Sequence, residues 1–342
     1  MAALADVLAD VLKELINVVT QCNNSPRSVA QSYVGRFAPS PTGKLHFGSL
    51  LAAVASRLQA LTAGGLWHVR IDDLDGPRCD PTYAASILKT LSAYGCDWHG
   101  EVVYQSQRRE RYAAAMQALI ANNGRNAAAV YRCDCGRRQL NQTAPRGDSG
   151  LIYPGHCRGR PAGSLTGDYA QRIQVPGEPI EFIDGWQGRI TRDLASEDGD
   201  FVVWRRDHLP AYHLAVVVDD TDLGVTESVR GIDLLLTAPR QIFLQHQLGL
   251  PTPHYRHLPI AVTRGGGKIS KMTRAPALPL DEPARLLHAA LTTLRQEPPA
   301  ALAKESVATL WQWAIGHWQP EQLYGLQQLP INDESLTGEN QR

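Results

Sequence analysis

The sequence predicts an α/β chain, and three stretches carry that expectation. An apolar start, Tyr33-Val34, leads into Arg36-Phe37-Ala38 as a short strand, and from Ser49 onward Leu50, Leu51, Val54, Leu58 and Leu61 recur at helical spacing. A second strand, Leu66-Trp67-His68-Val69-Arg70-Ile71, then runs into Asp72-Asp73-Leu74-Asp75. Further on, residues 199–206 and 210–220 return to the apolar composition of buried strands.

Between the first strand and helix, Pro39, Pro41 and Gly43 break regular structure and force a tight turn. The start of such a helix presents free N–H groups and the positive end of a dipole, which suits a phosphate. His46 adds a hydrogen-bond donor there, and Gly48 lets a ligand approach the backbone. The carboxylates after the second strand stand where open α/β sheets bind ligands. Asp73 and Asp75 read as a solvated acidic turn. Helices expected at 83–94 and 108–122 complete a first α/β half.

A chain of 342 residues is long enough for two or three structural units. Lysine plus arginine and aspartate plus glutamate both number 34, so contact with nucleic acid must use local basic patches rather than a global field. Six cysteines and an acidic start unlike a secretory signal suggest a reducing compartment, read here as cytoplasmic. No apolar run is long enough to span a bilayer. Residues 1–33 form an extension with an apolar helical stripe from Leu4 to Ile16.

Cys133 and Cys135, with the stretch 153–157 that ends in Cys157 downstream, make a candidate zinc site, because thiolates suit a tetrahedral Zn²⁺. Chemistry alone offers His156 as the fourth ligand. Alternating residues at 171–175 and 180–183 predict short antiparallel strands inserted between the halves of the sheet. Gly265-Gly266-Gly267-Lys268-Ile269-Ser270-Lys271 joins a glycine run to two lysines flanking a serine. After Met272 about seventy residues remain, with helices expected at 282–294 and 300–318.

The string from Arg36 to Gly48 resembles the signature of class I aminoacyl-tRNA synthetases of the glutamyl type. His46-Phe47-Gly48-Ser49 stands where that family usually carries His-Ile-Gly-His, so a hydroxyl replaces the second imidazole. The stretch ending in Lys271 is similar to the Lys-Met-Ser-Lys-Ser loop of the same class. The resemblance covers roughly 34–273 and implies a Rossmann-like parallel sheet. Its halves would occupy 34–130 and 199–275, with a zinc-containing insertion at 131–198 and a short helical C-terminal region at 276–342.

The same resemblance implies the site. Arg36, Phe37, Ala38, Pro39, Ser40, Asp72, Tyr212 and Arg230 would bind glutamate, and Asp72 replaces a glutamate that grips the substrate ammonium. Free glutamate carries one ammonium and two carboxylates, so an anion and two guanidinium forks match it. His46, Gly48, Ser49, Lys268 and Lys271 would hold ATP with its Mg²⁺, with His46 and Lys271 as the catalytic pair. The family's Cys-x-Cys…Tyr-x-x-x-Cys pattern favours Tyr153 over His156 at a structural zinc bound by Cys133, Cys135 and Cys157.

Members that charge a tRNA 3′ end continue into a helical anticodon-reading region, for which the residues after Met272 leave no room. The resemblance therefore implies the truncated branch, which activates glutamate with ATP in the absence of tRNA. That branch transfers the glutamate to the queuosine base in the anticodon loop of tRNA(Asp). Two alternatives stand beside it: an ordinary glutamyl-tRNA synthetase, and a non-catalytic RNA- or zinc-binding module. Ser49 makes the second thinkable, and the retained Lys271, Arg36 and Arg230 argue against it.

Overall fold

The computed structural model describes residues 32–122, 129–161, 164–165, 167–262 and 276–331. The stripe at 4–16 and the lysine loop with Lys268 and Lys271 lie outside the described residues.

Strand β1 (Val34–Phe37) is buried throughout and feeds helix α1 (Phe47–Thr62). Leu50, Leu51, Val54 and Leu58 form the buried stripe of α1, as their spacing requires. Gly65 turns the chain back into β2 (Leu66–Ile71); a Cβ at Gly65 would stand 2.2 Å from the Tyr33 carbonyl oxygen, which excludes any other residue. Helix α2 (Pro81–Ala93) starts with Asp80 accepting the Thr82 N–H and with proline in its first turn, where no N–H is needed. Strand β3 (Val103–Tyr104) and helix α3 (Arg109–Ala121) finish the first half, in which β1, β2 and β3 run parallel.

A three-stranded antiparallel sheet follows, from β4 (Val130–Cys133), β5 (Ala170–Ile173) and a later strand, and the cysteines hang at its edge. The hairpin β6 (Ile180–Asp184) and β7 (Gly188–Arg192) comes next, and β8 (Phe201–Trp204) completes the antiparallel sheet. The second half consists of helix α4 (Tyr212–Asp222), β9 (Glu227–Gly231), helix α5 (Ala238–Leu248) and β10 (His254–Leu258). Strands β9 and β10 are parallel, and β6 joins β10 through the pair Tyr255–Asp184, so the hairpin extends this sheet. Short β11 (Ile260–Val262) pairs with β12 (Gln328–Pro330) at the end of the described chain, and helices α6 (Pro283–Thr293) and α7 (Val307–His317) pack between them onto the core of the first half.

One expected strand is a helix. Residues 210–220 carry the run Val216-Val217-Val218, whose composition suits a central strand, yet they form most of α4. That helix is buried among apolar neighbours on several sides, and its core includes Leu214, Val217 and Val218 packed with Tyr112, Phe243 and Leu244. A helix enclosed in this way loses the polar face that distinguishes it from a buried strand. Of the expected 300–318 helix, the first residues are a 3₁₀ turn (Ala300–Lys304), and α7 proper starts after Ser306, whose side chain accepts the Thr309 N–H.

The two halves meet at β1 and β9. Val34 donates its N–H to Thr226 Oγ1 at 2.9 Å, and Thr226 returns its own N–H to the Val34 carbonyl at 2.9 Å. The strand order is therefore β3-β2-β1, then β9-β10, and the chain winds outward in both directions from the β1/β9 seam. Ligand clefts of doubly wound sheets form at that reversal, beyond the carboxyl ends of the strands.

Candidate active site

A cleft of about 380 Å³ opens at the β1/β9 seam, within the roughly 300–1,000 Å³ typical of small-molecule sites. From the end of β1 it is lined by Arg36, Phe37, Ala38, Pro39 and Ser40, and from the start of α1 by His46, Gly48 and Ser49. Asp72 reaches it from the end of β2, Tyr212 from the start of α4, and Arg230 from the end of β9. All the described residues expected to bind glutamate or ATP thus share one cavity. The turn after β1 is tied down by backbone bonds: Asp72 N–H donates to the Pro39 carbonyl at 3.0 Å and Asp80 N–H to that of Pro41 at 3.0 Å.

At the mouth of α1, His46 is the N-cap, and its Nδ1 accepts the Ser49 N–H at 3.3 Å. That bond makes Nδ1 the acceptor and leaves the ring proton on Nε2. The helix start combines free backbone donors with an imidazole N–H, a setting for phosphate oxygens. Beside it, the bridge between His46 and Ala277 and the bond from Leu278 N–H to the Leu45 carbonyl (2.9 Å) anchor the chain that follows 275.

The charged side chains form a buried network. Arg36, 3 % exposed, donates through Nε to Asp220 at 3.1 and 3.2 Å and through one terminal nitrogen to the Val229 carbonyl at 3.3 Å. Arg70 is buried behind it and bonds Asp72 at 2.6 Å and Asp220 at 2.5 Å. Burial would raise the Asp220 carboxyl, but Arg36 and Arg70 outweigh it and hold the group below the usual range. Asp72, 8 % exposed, is pushed up to about 6 by burial, with Arg70 opposing the shift and Asp219 and Asp220 adding to it. Both Asp72 oxygens meet Arg70, so a cationic ligand group would share this carboxylate with an internal guanidinium. Tyr212, with 40 % of its surface exposed, forms an open rim.

Sequence reasoning missed Arg70, Asp220 and the residues behind Arg230. A charged residue between Val69 and Ile71 in the strand Leu66–Ile71, two positions before Asp72, is the available signal for Arg70. Asp219-Asp220 following three valines is the corresponding signal on α4. Both are charges in segments whose neighbours are core, and such charges are retained only when paired. Asp73 and Asp75, expected in a solvated acidic turn, are half-buried outside the cleft lining: Asp73 accepts the Ser106 N–H at 2.8 Å, and Asp75 pairs with Arg78.

The cysteines converge about β4. The sulfurs of Cys133, Cys135 and Cys157 lie within 4.8 Å of one another. The Tyr153 hydroxyl is 3.4 Å from Cys133 Sγ and 3.7 Å from Cys135 Sγ, and Cys135 and Cys157 are 3.5 Å apart. Tetrahedral zinc–thiolate bonds of about 2.3 Å require sulfur separations near 3.8 Å, so the donor set fits the ion. His156 is exposed and turns its Nε2 to Thr143 Oγ1 at 3.4 Å, away from this group. Tyr153 is held in place by Gly199, whose φ of +67° and bridge to Tyr153 leave no room for a side chain. Arg172 lies over the Tyr153 ring at 3.8 Å and donates to Cys133 Sγ at 3.3 Å. Burial would raise the Cys133 thiol, yet Tyr153 and Arg172 bring it below its ordinary value. Cys79 and Cys96 stand apart, and Cys22 lies outside the described residues.

A sheet wound outward from β1/β9, with a histidine-capped helix beside a guanidinium-lined cleft, is the architecture of a class I aminoacyl-tRNA synthetase catalytic domain. Residues 33–277 match the family described as tRNA synthetases class I (E and Q), catalytic domain, and the chain belongs to that family. Among its curated relatives, the Glutamyl-Q tRNA(Asp) synthetase of Thiobacillus denitrificans is 51% identical over 290 residues, 84% of this chain and 94% of that protein. The protein of the same name from Pseudomonas aeruginosa is 46% identical over 302 residues, 88% of this chain and 99% of its own. A glutamate tRNA ligase from Elizabethkingia meningosepticum, solved in complex with its amino acid, shares the fold at a TM-score of 0.73 and 22% identity, over 89% of this chain and 68% of that one. No helix among the described residues is long and apolar enough to cross a membrane.

Proposed function

We propose that the chain activates glutamate with ATP, without tRNA, and transfers it to the queuosine base in the anticodon loop of tRNA(Asp). The observation that carries this reading is the near end-to-end match to proteins named Glutamyl-Q tRNA(Asp) synthetase, spanning 94% of one and 99% of another. The cleft supports the glutamate half independently. Arg36 and Arg230 offer guanidinium edges to the two carboxylates, Asp72 offers an anion to the ammonium, and Ser40 and Tyr212 add hydroxyls. Phe37, Ala38 and Pro39 form the wall that orients the substrate.

In the first step a glutamate carboxylate oxygen attacks the α-phosphorus of ATP, forming the mixed anhydride and expelling pyrophosphate. Negative charge grows on the phosphate oxygens, so catalysis rests on positioning and on cationic groups aimed at those oxygens. His46 through Nε2, the backbone N–H of Gly48 at the helix start, the Ser49 hydroxyl, and the lysines Lys268 and Lys271 of the family loop serve that role, with Mg²⁺ bound to the nucleotide. In the second step a hydroxyl of the queuosine cis-diol attacks the acyl carbon and AMP departs. A splayed anticodon-loop base is accessible in a way a stacked base is not. Cys133, Cys135, Tyr153 and Cys157 would hold Zn²⁺ as a structural ion, since four protein ligands would complete a tetrahedral set.

Labelled glutamate supplied with ATP and tRNA(Asp) containing or lacking queuosine tests the acceptor. Label is expected only on the queuosine-containing tRNA, without tRNA in the activation step. Preferential labelling of tRNA(Glu) would instead establish an ordinary synthetase. Absence of glutamate-dependent pyrophosphate exchange would leave a non-catalytic module.

A further inference from the structure

Arg230 is held in an unusual way. Its guanidinium, on a residue 6 % exposed, donates through Nε to His257 Nε2 at 2.9 Å and through one terminal nitrogen to Gln241 Oε1 at 2.7 Å. The other terminal nitrogen is buried and has no protein partner. A buried cationic N–H left unmatched is costly, and Arg230 lines the cleft, so the vacant edge points to an anionic ligand.

The histidine behind it is oriented in turn. His257 is fully buried, and its Nδ1 lies 2.5 Å from Asp184 Oδ2. The other Asp184 oxygen is occupied by backbone N–H groups: Trp186 at 3.0 Å, Gln187 at 2.9 Å and His257 itself at 3.1 Å. The carboxylate is therefore fixed and can only accept. Nδ1 must carry the ring proton, which leaves the Nε2 lone pair for Arg230. The opposite tautomer would set a ring N–H against the guanidinium N–H. Burial, reinforced by the Arg230 cation, keeps the imidazole neutral.

We propose that Asp184 and His257 are positioning residues for substrate recognition: they grip Arg230 by its Nε edge and so present the unpartnered nitrogen to a glutamate carboxylate. The inference rests on the glutamate reading of the cleft. Asp184 comes from the turn of the β6–β7 hairpin and His257 from β10, and neither lines the cleft. They act on the ligand only through Arg230.

Glutamate-dependent pyrophosphate exchange tests this, with KM measured separately for glutamate and for ATP. His257→Leu removes the acceptor at similar bulk and is expected to raise the glutamate KM about thirtyfold, the size of a charge-assisted hydrogen bond, with the ATP KM changed by less than about threefold. His257→Gln restores an acceptor oxygen and should recover most of that loss. Asp184→Asn turns a donor toward Nδ1, reverses the tautomer and should resemble His257→Leu. Nitrogen NMR of histidine-labelled wild type, assigned by difference against His257→Gln, should show a neutral ring with its proton on Nδ1. Equal changes in both KM values, equal effects of Leu and Gln, or a proton on Nε2 would overturn the inference. If wild type exchanges normally but His257→Leu leaves the glutamate KM unmoved, this inference alone falls. If wild type shows no glutamate-dependent exchange, the glutamate reading falls and takes this one with it.

Discussion

The cleft and the cysteine cluster are both built around a buried aspartate paired with arginines, but they draw on the chain differently. In the cleft, Asp220 of α4 holds Arg36 of β1 and Arg70 of β2, partners 184 and 150 residues away. In the cluster, the candidate ligands fall between 133 and 157, and Asp200 holds Arg158 at 2.6 Å while its carbonyl accepts from Arg172 at 2.7 Å. The cleft exists only when both halves of the fold have closed on each other. The cluster needs one small sheet and one turn. Function that depends on charge pairing across the seam should therefore fail with global stability, whereas the cluster should fail locally.

The largest expected effect comes from Asp220→Ala. It leaves Arg36 and Arg70 buried without the carboxylate that lies 3.1 and 2.5 Å away. Removing one partner of such a buried pair costs about 3–5 kcal/mol. Urea unfolding should register that loss and glutamate-dependent exchange should collapse, while elemental analysis finds zinc retained in the folded fraction. A loss below about 1 kcal/mol would mean that Asp72 and Asp219 neutralise the arginines unaided.

A smaller and more local effect is expected from Gly199→Ala. The residue has a φ of +67°, and a Cβ would stand 2.5 Å from the Tyr153 backbone nitrogen and oxygen. Strain of this kind costs about 1–3 kcal/mol, felt first by the ring that meets the sulfurs. Zinc content should drop while the glutamate KM stays unchanged. A glutamate KM that rises in step with zinc loss would erase the contrast between the two regions.

The smallest effect is a change of slope with pH. Burial, first among the causes, lowers His257 from 6.5 to about 4, with Arg230 adding to the shift and Asp184 opposing it. Between those values the unfolded chain holds a proton that the folded chain lacks, so this contribution to stability is complete above 6.5 and declines as pH falls toward about 4. Asp72 works in the opposite sense. Its folded value of about 6 lies above 3.8, so its contribution shrinks as pH rises through that window. Comparing wild type with His257→Gln separates the two. The variant should lose stability less steeply as pH falls, by at most about 1.4 kcal/mol per pH unit. Superimposable profiles would show that His257 keeps its ordinary proton affinity in the folded protein.

Much of this was legible beforehand, and the pattern follows from range. The β1–turn–α1 unit is encoded by contiguous signals: apolar strand, Pro39, Pro41 and Gly43, then a leucine stripe. Arg36, Asp72 and Arg230 each sit in a recognisable string at the end of a strand, and the fold brings the three to one cleft. Family resemblance favours Tyr153 over His156, and the fold turns that tyrosine inward and the histidine outward. What escaped was the support. Asp220 and His257 act through partners distant in sequence, and no local periodicity marks such pairs. Helix α4 escaped because burial on several sides removed its amphipathic signature.

The seam between β1 and β9 has a consequence for the protein's birth. Val34 must find Thr226, 192 residues later in the chain. At a synthesis rate of about 5–20 residues per second, that gap corresponds to roughly ten to forty seconds on the ribosome. For that interval the nascent first half carries Arg36 and Arg70 without Asp220, and an open edge on β1 without its neighbour. Within that half Arg70 can already meet Asp72, whereas Asp220, the carboxylate that Arg36 meets, is made later. The charge pairing that shapes the finished cleft is thus completed only once α4 has been made.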